Sequence, residues 1–222
     1  MQIITIGREF GSGGRELGKR LADELGFAYY DKEILTAVAQ QSGLNEEYIE
    51  MMNDRGISKH YHITYGRTFS SGFTVQYQRN KTELLLKQQK ILKDLVQKGD
   101  CVVVGRGADV ILEEYHPFNL FIYASMSSKV SRCRKYADKN EKLTVRELEA
   151  KIQQVDRSRK QYYELLKGEK WGSKENYHLC INTTGMEIKK MIPGVAGYVQ
   201  NWFGGTKNEN TVCLLYTSDA AD

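Results

Sequence analysis

IITIGREFGSGGRELGKRLADEL, residues 3–25, decides how the rest of the chain is read. Four β-branched residues, Ile3 to Ile6, favour a pleated strand. A glycine-rich turn follows, and then Leu17, Leu21 and Leu25 recur every fourth residue as on one face of a helix. Glycines at 11, 13 and 14 permit positive φ and let backbone N–H groups turn inward, while the helix behind them adds its positive N-terminal end. A strand, an amide-lined turn and a helix make a phosphate cradle. A second reading stays open at this point, in which the glycines only connect strand to helix.

The stretch fits neither familiar glycine pattern. A dinucleotide fingerprint read from Gly11 reaches Glu16 where a third glycine is needed, and G-x-x-x-x-G-K-[ST] fails because Gly13 is followed by Gly14, Arg15 and Glu16. The lysine that closes such a loop is absent. Arg15 is the cation placed to substitute for it, with Arg8 as a second and Lys19 as a reserve. Glu16 reads either as a carboxylate for Mg²⁺ or as a favourable charge in the first helical turn. Gly11, Ser12, Gly13, Gly14, Arg15 and Glu16 are thus the expected cofactor-binding set.

Further strand-like runs appear at Cys101 to Val104, Leu120 to Tyr123 and around His178 to Ile181, with a weak one at Phe27 to Tyr30. Helical patterns separate them, at Leu84 to Val96, Lys129 to Tyr136 and Val145 to Leu166. This alternation predicts an α/β fold, a parallel sheet of about five strands with helices on both faces. Two stretches fall outside the core pattern: residues 54–80, polar and aromatic without periodicity, and residues 137–174, apolar only at helical spacing. Each reads as an excursion over a cleft or as solvated surface. Asp31, at a strand end and just before a helical pattern over 32–41, reads as an N-cap, as a nucleotide or metal contact, or as both.

CVVVGRGAD, residues 101–109, places Arg106 beyond a strand's carboxyl end, where ligands of parallel sheets bind and where an arginine grips phosphate. A solvent-facing Arg106 is the alternative. Asp156, Arg159 and Lys160 share one helix face, arranged either for ion pairing or for contact with a transferring phosphoryl group.

The order of GREFGSGGRE, YYDKEIL, VVVGRGAD, FIYAS, an arginine-bearing helix, DRSR and YYELLKGEKWGSKENYHLCINTT resembles the cytidylate kinase-like P-loop proteins and, beyond them, the cytidylate kinases, over about residues 1–203. The resemblance implies a P-loop NTPase-type domain over 1–205, with an acceptor-binding excursion over 31–83 and a lid over 137–174. It implies ATP and Mg²⁺ as cofactors and phosphoryl transfer to a small acceptor, most readily a pyrimidine nucleoside monophosphate such as CMP. By the same resemblance Arg106 serves the acceptor and Asp156 with Arg159 takes part of the lid's role. From their positions, Arg8, Asp31 and Arg132 are expected to join Arg106 at the acceptor, Arg15 to be catalytic with Asp156 and Arg159, and Arg157 to assist on the nucleotide. The chain departs from the pattern where the P-loop lysine falls on Gly14 or Arg15, where an aspartate after the GR pair falls on Gly107, and where the lid's first arginine falls on Ile152. A nucleotide-binding regulatory protein with little catalysis is the alternative function.

A formal charge of +4 over 222 residues suits an anionic ligand and is too weak to indicate nucleic acid. No apolar run approaches the ~18 residues of a membrane span and the N-terminus lacks a signal-peptide pattern, so a soluble, cytoplasmic protein with small-molecule partners is expected. Cys101, Cys133, Cys180 and Cys213 lack CxxC spacing and read as reduced structural thiols; the four histidines lack metal-ligand spacing. Oligomeric state is not legible. The terminal TVCLLYTSDAAD, within residues 206–222, resembles a translated sequencing adapter and is set apart from the fold as a non-native or disordered tail.

Overall fold

The computed structural model describes residues 1–31, 37, 40, 43, 86–136 and 143–205. The expected excursion over 31–83 therefore lies, apart from four residues, outside the described residues, as do Cys213 and the tail from 206; of the helix expected over 32–41 only residues 37 and 40 are described, and both are helical.

Five strands form one parallel sheet in the order β2-β3-β1-β4-β5: β1 (Ile3–Arg8), β2 (Ala28–Tyr30), β3 (Cys101–Val104), β4 (Phe118–Tyr123) and β5 (Leu179–Asn182). β1 lies at the centre, with Ile3 opposite Cys101 and Ile4 opposite Phe118. Its run is longer than Ile3 to Ile6, because Gly7 and Arg8 keep pairing with Phe121 and Ile122 of β4. That extension delivers Arg8 to the carboxyl end of the sheet.

Period-two alternation splits the apolar residues between two faces. Ile4, Ile6, Val102, Val104, Leu120 and Ile122 pack under α1 (Gly14–Leu25) and the C-terminal helix Ile188–Gly205. Gly18 is what lets α1 sit close, since a Cβ there would stand 2.8 Å from Val104 Cγ2. On the other face Ile3, Cys101 and Val103 meet Ile91, Leu92 and Val96 of the helix over 86–96, numbered α2, together with Ala108 and Ile111 of the short α3 (Ala108–Ile111). Each apolar face is removed from water by a helix layer, the main favourable term in such a fold.

Two helices complete the site-bearing end: α4 (Met126–Tyr136) and the 23-residue α5 (Val145–Lys167). The C-terminal helix is α6. α5 opens on a capping box, in which Thr144 Oγ1 accepts from the Glu147 amide and the Glu147 carboxylate accepts from Thr144 N–H, and it closes on left-handed Gly168. Ile152 is 0% exposed and packs with Val130 and Leu148. A guanidinium at that position would be buried among apolar side chains, which accounts for the isoleucine where the resemblance places an arginine.

Candidate active site

The loop after β1 is held in shape by side chains from distant segments. Glu9 N–H donates to Ile122 O at 3.0 Å, carrying the sheet pairing one residue past β1. Gly11 and Gly13 take positive φ of 75° and 85°, so these are the positions where glycine is required. Ser12 is fully buried and its hydroxyl donates to Glu9 O at 2.8 Å, leaving it a brace inside the loop. Gly13 forms the N-cap of α1 with no side-chain hydrogen bond, and among the described residues no acceptor meets the amides of Gly13, Gly14 and Arg15. An anion set there meets free N–H donors and the positive end of a helix.

The cations nearest this cradle are already engaged. Arg15 Nε lies 2.6 Å from Asp31 Oδ2, with its side chain 60% exposed. Lys129 is 7% exposed and sits 2.6 Å from Glu9 Oε2 and 3.2 Å from Asp156 Oδ2. Asp156 Oδ1 accepts the Phe10 amide at 2.6 Å, so a residue of the expected lid is in contact with the glycine loop. Burial raises the Asp156 pKa, opposed by the Phe10 amide, Lys129 and Arg159. Arg132 donates to the carbonyls of Gly11, Ser12, Thr183 and Met186 and to Thr183 Oγ1. Its guanidinium ties the loop to the segment after β5. Glu16 pairs with Arg20 at 2.9 Å and accepts from the Tyr136 hydroxyl at 3.4 Å, and Arg157 is exposed.

A cavity of about 50 Å³ opens beside the loop, between the carboxyl ends of β1 and β3 and the flank of α5. Arg8, Arg106 and Arg159 line it. Arg8 passes over Gly105, where a Cβ would stand 1.6 Å from its Nη1, and Arg159 Nη1 donates to Arg8 O at 3.1 Å. Asp31 is the carboxylate beside Arg8, at 3.7 Å. The Arg8 pKa is lowered to about 9, first by burial and then by Arg159, with Arg106 and Arg15 acting the same way against Asp31. A guanidinium keeps its proton near neutral pH, so the shift reads first as a buried charge deprived of water and then as crowding by like charges, and a bound anion would relieve both.

Arg106 itself is strained. Its φ is 62°, between Gly105 at 79° and Gly107 at 62°, a left-handed run that costs a non-glycine residue roughly 1–2 kcal/mol. Gln88 and Tyr162 hold its carbonyl at 3.4 and 3.5 Å, and burial pushes the Tyr162 phenol up to about 12. A Cβ on Gly107 would come within 2.4 Å of Leu166 Cδ1, which explains why no aspartate stands there. Asp109, Tyr163, Tyr177 and Trp171 also line the cavity.

The structure brings together Arg8, Arg106 and Arg159 around the cavity, and Gly11 to Glu16 around the cradle, with Asp31 bridging Arg8 and Arg15. It places Asp156 and Arg132 as loop braces and Arg157 on the surface. Glu9, Lys129, Asp109, Tyr163 and Tyr177 were not singled out by their local sequence. Only Asp109 had a signal, as the acidic residue of the GRGAD turn. Among the described residues no group of three or more His, Cys, Asp or Glu is placed to hold a metal, and no helix is long and apolar enough to cross a membrane.

With this geometry in view, comparison with known proteins gives a family and a fold. A family model described as cytidylate kinase-like matches residues 3–185. An uncharacterised protein from Eubacterium ventriosum is similar at 23% identity, covering 90% of this chain and 99% of that one, with a TM-score of 0.64. Shikimate kinase from Bacteroides thetaiotaomicron is 14% identical over 91% of this chain and 98% of its own, TM-score 0.53. A gluconokinase from Sinorhizobium meliloti is 12% identical over 94% and 97%, TM-score 0.52. No curated protein matches.

Proposed function

Because the chain belongs to the cytidylate kinase-like family, we propose that it transfers a phosphoryl group from ATP to a small anionic acceptor, most readily a pyrimidine nucleoside monophosphate such as CMP. One observation carries this reading: an open, amide-lined helix start and a cavity lined by three arginines lie at the same end of the sheet, on neighbouring strands. Transfer between two anions needs two anion sites facing one reaction path.

The amides of Gly13, Gly14 and Arg15 would take donor phosphate oxygens, with charge from the α1 dipole. Arg106 would grip the acceptor, with Arg8 and Arg159 neutralising the charge that develops between the two groups. An acceptor phosphate oxygen is already anionic, so no general base is required. Mg²⁺ keeps most of its waters and needs few protein carboxylates; Glu16, the carboxylate in the first turn of α1, would hold it on leaving its pair with Arg20. The ion would supply charge neutralisation at the donor phosphates. The donor-side role of Arg15 requires its pair with Asp31 to open, and the catalytic role of Asp156 would be exerted through the loop it braces.

A second reading, a nucleotide-binding regulatory protein with little catalysis, is favoured by the pairing of Lys129, Arg132 and Arg15 with protein groups. Purified protein with ATP, Mg²⁺ and a panel of CMP, other nucleoside monophosphates, shikimate and gluconate separates the two. The kinase reading expects ADP and a phosphorylated product with a pyrimidine monophosphate. Nucleotide binding without turnover on every acceptor overturns it and supports the regulatory reading.

A further inference from the structure

The cavity lining carries two sets of unlike chemistry. Arg8, Arg106 and Arg159 form one; Asp109, Tyr163 and Tyr177 contribute the other. Tyr163 is 3% and Tyr177 8% exposed. Neither hydroxyl, nor Arg106 Nε, makes a hydrogen bond of normal geometry among the described residues; the polar groups near the Tyr163 hydroxyl are Asp109 and the Tyr177 hydroxyl, and Tyr177 also nears the Gly172 backbone, so the three side chains form one under-satisfied polar cluster. Buried polar groups are rarely left in this state, because each costs the full price of desolvation.

The two sets point to different parts of one ligand. Arg106 Nε and the crowded guanidiniums call for an anion. An anion alone leaves Asp109 and the two phenols unexplained, since a carboxylate repels it. Asp109 raises the Tyr163 phenol pKa after burial itself, and Asp109 is in turn pushed up by burial. A carboxylate with two phenols, cut off from water, is a set that accepts hydrogen bonds from O–H or N–H groups and returns one or two of its own.

Resting on the reading that this cavity takes the phosphoryl acceptor, we infer that Asp109, Tyr163 and Tyr177 are its specificity wall, and that the acceptor is a small anion carrying a hydroxyl or amino group besides its charge. The arginines supply affinity for any oxyanion of suitable size. The Asp109 wall supplies discrimination, since a site built to pair with a ligand hydroxyl or amine rejects the analogue that lacks it.

The test is calorimetric binding to the full chain, using sulfate as an anion without donors and CMP, glycerol 3-phosphate and gluconate as anions with them. At least one donor-bearing anion should bind ~10-fold or more tightly than sulfate, the scale of one good hydrogen bond to a charged group. Asp109→Asn and Tyr177→Phe should erase that advantage while leaving sulfate affinity unchanged or, for Asp109→Asn, raised. Tyr177→Phe keeps the ring that packs on Phe121 and changes only the hydroxyl, and an unchanged melting temperature checks its fold, so the result does not depend on Asp109→Asn folding. Donor-bearing anions no tighter than sulfate, or an equal loss for sulfate and CMP in Tyr177→Phe, overturn the inference. Turnover distinguishes the two proposals: the binding pattern without ADP formation sinks the kinase reading alone, and ADP formation without the pattern sinks the specificity wall alone.

Discussion

The glycine loop and the arginine cavity share one end of the sheet and draw on the same kinds of side chain, but they balance their charges differently. Around the loop, Lys129 has Glu9 and Asp156, Arg132 has four carbonyls, and the Phe10 amide has Asp156. Around the cavity, three arginines share the lining with a single carboxylate, Asp109; the carboxylates behind them stand farther off, Asp31 3.7 Å from Arg8 and Asp156 3.9 Å from Arg159, and Arg106 holds a left-handed backbone conformation. A charge surrounded by partners maintains a shape, whereas a charge crowded by like charges is suited to a ligand. Unfavourable energy kept at a site, in charge or in φ, is spent when the ligand arrives.

Removing a brace should therefore cost stability, and removing a cavity arginine should cost function. Asp156→Ala is expected to give the largest effect, a loss of about 2–4 kcal/mol in urea denaturation, because it leaves Lys129 with Glu9 alone and the Phe10 amide without its acceptor. Unchanged stability would mean that the loop does not depend on α5. Arg106→Ala should raise the Michaelis constant for the acceptor roughly 10-fold to 100-fold, from a charge-assisted contact worth about 1.5–3 kcal/mol, with a much smaller change for ATP. Equal weakening of both substrates would return Arg106 to the scaffold.

A glycine at the same position sharpens the contrast. Arg106→Gly keeps the carbonyl that Gln88 and Tyr162 hold while removing both the strained φ and one crowded charge. It should gain about 0.5–1 kcal/mol of stability while losing acceptor affinity as the alanine variant does. A destabilised Arg106→Gly would show that the guanidinium is a structural partner after all. Arg15→Ala is milder. An exposed guanidinium on Asp31 is worth ~1 kcal/mol or less after solvent screening, so ATP affinity should change by under about 5-fold on that scale. A loss of more than about 10-fold, near 1.4 kcal/mol, would establish Arg15 as a donor-site cation that leaves Asp31 when nucleotide binds.

The smallest expected effect lies at the start of α5. The hydrogen bonds of Thr144 depress the Glu147 pKa below the usual carboxylate range. A folded pKa below the unfolded one means stability present above the unfolded value and lost as pH falls through the folded one. Thr144→Ala should therefore lower Tm by ~2–4 °C at pH 7, with the deficit shrinking as the pH drops through the glutamate range. A deficit independent of pH would assign the effect to the threonine alone.

The outline of the fold and half of the site are legible in short windows of sequence. Ile3 to Ile6, Cys101 to Val104 and the leucines at 17, 21 and 25 announce strands and helix, because side-chain period and φ preference act over a few residues. Gly11 and Gly13 announce the cradle for the same reason, and Arg106 follows from its place after a strand, which the topology of parallel sheets turns toward the ligand. Which charges are spent and which remain could be decided only by tertiary structure. Lys129 meets Glu9 across 120 positions of chain, the Phe10 amide meets Asp156 across 146, and Asp109, Tyr163 and Tyr177 meet only where α3, α5 and the segment before β5 converge. Charge pairing depends on through-space separation and burial, and neither has a period that can be read along the chain.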